Sequence, residues 1–172
     1  MFNPFKKTYS MEEQTMFDFL SQIVLFKKLT SAEMALFLPY LHNREYVENE
    51  FIFLRNDPSH ALYILKSGRV ELSVEIDGAL EKLGDLEGHH EFGHSCLIDG
   101  QKRLTNAIAK SENTQLYVIP QLNIYDIFES NPLVKAKIME AMSETYYEYN
   151  ASLINSYKSS RGFFHLSDVL GQ

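Results

Sequence analysis

The chain of 172 residues carries one cysteine, 16 basic against 23 acidic side chains, and no long apolar run. Each shortage excludes something. A lone thiol at Cys96 cannot close an intramolecular disulfide, so the fold must hold without a disulfide framework. That suits a reducing compartment, and a cytoplasmic protein is expected. No segment approaches the roughly 18 consecutive apolar residues that a membrane span requires. Lys6 and Lys7 lead into TYSMEEQT rather than into an apolar export core, so no signal peptide is expected. The formal net charge of -7 removes the whole-molecule attraction that duplex DNA or an anionic membrane exerts on a basic protein. Internal repeats and low-complexity segments are lacking too, so a single packed domain is the working expectation.

What is present is a globular composition, 45% apolar and 23% charged. Ser10 with Glu13 and Thr30 with Glu33 form S/T-x-x-E capping boxes, each before an amphipathic stretch, Met16 to Phe26 and Met34 to Leu41, so the chain is expected to open on helices. From Glu45 the pattern turns to short alternating runs. In the clearest, Val70, Leu72, Val74 and Ile76 face one way and Glu71, Ser73 and Glu75 the other, as in a half-buried strand. Turn signals at Asp57-Pro58, Ser67-Gly68, Asp77-Gly78, Gly84, Gly88 and Asp99-Gly100 punctuate a sandwich or barrel from about Glu45 to Ile119. Pro120 ends the run TQLYVI, and a short helix is expected around Leu122 to Phe128. Asn131-Pro132 supplies an N-cap and a first-turn proline. A long helix follows, striped by Val134, Ile138, Met142, Tyr146, Tyr149, Leu153 and Tyr157, with Arg161-Gly162 as its stop.

Residues 91–107, EFGHSCLIDGQKRLTNA, concentrate positive charge in a negative chain: His94, Lys102 and Arg103 lie within the stretch, and His89 and His90 just before it. The stretch resembles the phosphate-binding cassette of the cyclic nucleotide-binding domain family, F-G-E-[LIV]-[AS]-L, a loop, then P-R-A-A. Phe92-Gly93, Leu97 and Arg103 fall on the Phe-Gly, the second Leu and the Arg, with the loop length of the kinase regulatory-subunit branch. Gly68 sits in an S-G-x-[IV] turn and Glu50 where that family has P-G-E. The likeness runs from about Leu25 to Leu153. It implies a mainly β fold with flanking helices: a double-stranded β-helix, or jelly roll, over 25–130, after an N-terminal helical segment at 1–24 and before a long helix at 131–160 and a tail at 161–172.

The chemistry of such a cassette is that of anion capture. Gly93 permits close backbone approach, the amides of His94, Ser95 and Cys96 are available to point inward, and a guanidinium at Arg103 donates several hydrogen bonds to a phosphate. By the resemblance, the ligand-binding residues are Phe92, Gly93, His94, Ser95, Cys96, Arg103, Leu104 and Thr105, with Tyr146 or Phe163 closing over the ligand. The ligand is cyclic AMP, cyclic GMP or another small anion, and no other cofactor is expected. The chain departs from the pattern at four places, one of them Ser95 at a usually aliphatic position. His94 replaces the glutamate that accepts a hydrogen bond from the ribose 2′-hydroxyl, Leu104 follows the arginine where a small residue is usual, and Asn106 replaces a common threonine. Restoring a carboxylate as His94→Glu is expected to tighten cyclic AMP binding about tenfold to more than a hundredfold. Cys96, at the small Ala/Ser position, reads as a packed and unreactive thiol.

Three functions stand open at this level: a regulatory sensor without enzymatic activity, a dimerisation scaffold with an unfilled pocket, and a cupin-like metal enzyme using His89, His90 and His94 with Glu91. Adjacent histidines on a strand point to opposite faces, which disfavours the metal site. The segment KSSRGFFHLSDVLGQ after Tyr157 is too short for a helix-turn-helix domain, so no nucleic acid is expected as a partner. A homodimer through the long helix and a separate effector protein are the expected routes of output.

Overall fold

The computed structural model describes residues 8–159. Ser10 and Thr30 cap their helices as their spacing predicts: each hydroxyl accepts the amide of the residue three further on, and each glutamate accepts the cap residue's own amide. The first helix, α1, spans Met11–Leu20. The second, α2, is only Ser31–Met34, followed by a 3₁₀ turn at Leu38–Tyr40, so the helix expected to run to Leu41 is cut short. From Leu36 on the backbone bonds run to the residue three back, as in Leu36 to Glu33 and Phe37 to Met34, and Pro39, which lacks an amide hydrogen, sits in the 3₁₀ turn.

Eight antiparallel strands follow: β1 (His42–Tyr46), β2 (Phe51–Phe53), β3 (Ala61–Ser67), β4 (Arg69–Ile76), β5 (Ala79–Glu87), β6 (Glu91–Phe92), β7 (Asn106–Ala109) and β8 (Thr114–Pro120). They form two four-stranded sheets, ordered β1-β8-β3-β6 and β2-β7-β4-β5, the jelly roll that the resemblance implies. The β3–β4 turn depends on Gly68 at φ +93°, where an added Cβ would stand 2.9 Å from the Thr114 Cα.

Sheet one is covered on both faces, and strand alternation divides its residues between two cores. Leu65 and Leu116 point into the roll with Val70, Phe92 and Ala107. Leu62, Ile64, Tyr117 and Ile119 point outward, beneath the helices. The alternation read along β4 holds for only half its length. Val70 is buried, but Ser73 is fully buried as well and Ile76 is 53% exposed, and the β4–β5 register shifts between Leu72 and Ser73. The extra residue, Leu83, lies in β5, so the alternation of β5 is shifted there, while β4 pairs with β7 without a break from Val70 to Ser73.

After β8, α3 (Gln121–Ser130) and α4 (Pro132–Ser159) close the helical layer. Val134, Ile138, Ala141 and Met142 of α4 are buried in the outer core, each of the larger ones contributing about 1.5–3 kcal/mol by transfer out of water. Lys28 bridges Glu140 and Glu144, and Lys137 meets Glu33, so ion pairs tie α4 to the N-terminal helical segment. Farther along, Tyr149 and Leu153 are exposed. Among the described residues no helix is long and apolar enough to cross a membrane.

Candidate anion-binding site

The β6 strand delivers Phe92 to the inner core, where its ring stacks on Tyr63. The chain then turns sharply at Gly93, whose φ of 82° and ψ of 29° are left-handed, and enters a 3₁₀ helix over His94–Leu97. Here glycine is required twice over. A Cβ would strain the left-handed backbone, and it would lie 2.5 Å from the Arg103 Nη1.

Arg103 is only 3% exposed. Its main chain is pinned to the turn before β3, with its amide donating to the Asp57 carbonyl at 2.8 Å and its own carbonyl accepting from the Asn56 amide at 2.9 Å. The guanidinium points inward: Nη1 donates to the Gly93 carbonyl at 2.9 Å and Nη2 to the Ala61 carbonyl at 2.7 Å. The group lies 4.3 Å above the Phe53 ring and 5.3 Å from that of Tyr63. Burial draws its pKa below the ordinary 12.5, yet an arginine remains a cation inside a protein. Its buried Nε has no hydrogen-bond partner. The result is a fixed positive charge with donor capacity to spare, against one wall of a cavity of about 240 Å³.

That cavity gathers residues from both sheets and from α4. Phe92, Gly93, His94, Ser95, Arg103, Leu104 and Thr105 line it, as does Tyr146. Cys96 does not. Its side chain is fully buried in the outer core, its amide donates to the Gly93 carbonyl at 3.2 Å, and its own carbonyl accepts from the Gln121 side chain at 2.7 Å. The Cys96 amide, read from the sequence as aimed at a ligand, is therefore consumed by the turn. Burial also raises the Cys96 thiol to about 12. Leu104 is 71% exposed and stands at the cavity rim rather than filling it. Ser95 shares a hydrogen bond of 2.8 Å with Ser59, and the Asn106 side chain accepts the Arg55 amide at 2.8 Å, which gives both a structural duty. Phe163 lies outside the described residues.

The three histidines separate. His89 packs edge-on against Phe19, His90 meets the Glu87 carbonyl, and only His94 reaches the cavity. Among the described residues no three metal-ligating side chains converge.

Three features of the wall escaped the sequence reading. Phe53 and Tyr63 support the guanidinium, and Tyr149 joins Tyr146 from α4. The third is Glu91, weighed in the sequence only as a metal ligand. Its side chain is 5% exposed, it lines the same cavity, and its Oε1 lies 3.6 Å from the His94 Nε2. The visible signal was an acid immediately before Phe-Gly.

The model of the cyclic nucleotide-binding domain family matches residues 43–131, just over half of the chain. A cyclic AMP receptor protein from Thermus thermophilus is 30% identical over 130 residues, covering 75% of this chain and 60% of that protein. The solved catabolite activator protein of Thermus thermophilus superposes with a TM-score of 0.67 at 27% identity, over 80% of this chain and 65% of the other. The regulatory domain of Toxoplasma gondii PKA, solved with cAMP, superposes with a TM-score of 0.61 at 18% identity, over 72% of this chain and 46% of the other, a likeness of fold. The chain spans 60% or less of the length of the curated relatives it matches.

Proposed function

The chain belongs to the cyclic nucleotide-binding domain family, and from that premise we propose that it is a regulatory module whose cavity at Gly93 and Arg103 takes a cyclic nucleotide or another small phosphate monoanion. The single observation that carries this reading is the buried guanidinium of Arg103, held by two carbonyls and two aromatic rings so that it faces the cavity. A fixed cation in a low-dielectric wall binds an anion without first having to be ordered. Tyr146 and Tyr149 bring α4 to the same cavity, so ligand entry changes the packing of that helix, which is how binding is transmitted. The exposed Tyr147, Leu153 and Ile154 on α4 favour pairing with a second copy or an effector protein, in the cytoplasm.

The test is calorimetric titration with cyclic AMP and cyclic GMP. Wild-type protein is expected to bind at least one of them, and Arg103→Lys, which keeps the charge but loses the planar fork, to weaken that binding at least tenfold. Absence of heat at millimolar nucleotide overturns the nucleotide reading. It would favour a scaffold with an unfilled pocket, the reading supported by the cavity's small volume, below the roughly 300 Å³ at which ligand pockets usually begin.

A further inference from the structure

β5 is the last strand of its sheet, ordered β2-β7-β4-β5, and among the described residues no backbone bond joins Ala79 to Leu86 to any strand but β4. Alternate amides and carbonyls of this nine-residue strand therefore point away from β4 with no described strand to receive them. Toward its tip the β4–β5 hairpin carries apolar side chains on both faces. By alternation Ile76 and its partner Ala79 share the face of Val70 and Leu72, whereas Leu80, opposite Glu75, lies on the other. Ile76, Leu80 and the bulged Leu83 are each more than half exposed. A helix or a sheet laid on one face would leave the other bare. A strand added along the β5 edge offers side chains to both at once, one beside Leu80 and the next reaching over the small Ala79 to Ile76.

The hairpin is also acidic. From Arg69 to Glu87 it holds six acids against two bases, and Glu75, Asp77, Glu81 and Glu87 form no ion pair among the described residues. Lys82 is taken by Asp85 at 2.5 Å. A second copy of the same edge would set net negative charge against net negative charge, so the complementary strand is a basic one.

We infer that the free edge of β5 is a docking surface for an extended segment of another protein, one that carries two adjacent apolar residues flanked by lysine or arginine. The main chain of the segment takes up the unpaired amides and carbonyls of β5. Its two apolar side chains fall on opposite faces, over Leu80 and Ile76, and its cations meet the unpaired carboxylates. The same two strands line the anion cavity through Leu72 and Leu86, so the partner docks on strands that also form the cavity wall. The inference does not depend on what fills that cavity.

The experiment titrates the isotope-labelled full chain, without nucleotide, with the capped peptide Lys-Thr-Lys-Val-Val-Lys-Thr-Lys and with its counterpart in which glutamate replaces every lysine. The lysine peptide is expected to shift the amide resonances of Ala79–Glu87 and to slow their hydrogen exchange, and the glutamate peptide to bind about tenfold more weakly or worse. Glu81→Lys combined with Glu87→Lys, both at exposed positions, should weaken the lysine peptide by about tenfold or more. Should that double variant fail to fold by circular dichroism, Glu81→Gln serves instead, with a smaller loss. Unaltered β5 amides at about 1 mM lysine peptide, or equal binding of the two peptides, overturn the docking surface. So does a concentration-dependent dimer that Leu83→Lys dissociates, because a second copy would then be the occupant. Any of these failures leaves the anion site at Arg103 standing, and absence of nucleotide binding leaves the β5 edge standing.

Discussion

Replacing Gly93 by alanine puts the link between backbone and guanidinium under direct test. Alanine in the left-handed region costs roughly 1–2 kcal/mol. The new methyl carbon would also lie 2.5 Å from the Arg103 Nη1, and 3.3 Å from the Tyr63 ring, so the guanidinium must move. It is poorly free to do so, being anchored to the Ala61 carbonyl and stacked on Phe53. Its hydrogen bond to the Gly93 carbonyl is the contact that gives way, at about 1.5–3 kcal/mol for a bond from a charged donor. The total is about 2.5–5 kcal/mol. Gly78→Ala is the control, because Gly78 has a similar φ of +80° but nothing within 4 Å of an added Cβ. It should lose only the backbone component. The two variants are therefore expected to differ by about 1.5–3 kcal/mol in urea unfolding, or about 3–12 °C in Tm for a chain of this size. Equal losses in the two would refute the claim that Gly93 is needed for Arg103 as well as for its own turn.

Two further outcomes follow from the same geometry. Cys96, with its thiol at about 12, should resist Ellman's reagent at pH 8 in the native protein and react readily in urea; labelling as fast in buffer as in urea would contradict its burial. The geometry around His94 predicts a different outcome for His94→Glu from the one the resemblance implies. A carboxylate there would stand near Glu91, at the present His94 separation of 3.6 Å, and two such charges at about 4 Å repel by roughly 4 kcal/mol at an effective dielectric constant of 20. One carboxyl must then hold a proton, with a folded pKa above its unfolded value. The destabilisation should be about 1–3 kcal/mol at pH 7.5 and narrow as the pH falls toward about 4.3. Urea melts at both pH values read this, and a variant as stable as the wild type at pH 7.5, or one that tightens cyclic AMP binding, would refute it.

How far the site could be read in advance depends on how local its parts are. Gly84, expected at a turn, lies inside β5 opposite Leu72, whereas the capping boxes at Ser10 and Thr30, the Asn131-Pro132 helix start and the turns at Gly68, Gly78, Gly88 and Gly100 appear where their residues place them. Each is settled by hydrogen bonds and torsional preferences spanning three or four residues. Burial along β4 departs from its alternation, with Ser73 buried and Ile76 exposed, because burial depends on what covers each face and the β4 residues do not encode that. Cys96 was misplaced because its amide closes the 3₁₀ turn onto Gly93, and the cassette spacing does not reveal that.

By itself, the sequence determined the succession of helices and short strands, the glycine turn, and an arginine ten residues beyond it. Only the tertiary structure decided that Arg103 faces inward, through a hydrogen bond to Ala61, 42 residues away, and through the rings of Phe53 and Tyr63. It also decided that Glu91 shares a cavity with that guanidinium and with two tyrosines of α4. The physical reason is that a side chain's direction and charge environment come from neighbours brought together by closing the two sheets and docking the last helix, while caps and turns carry their partners within their own few residues.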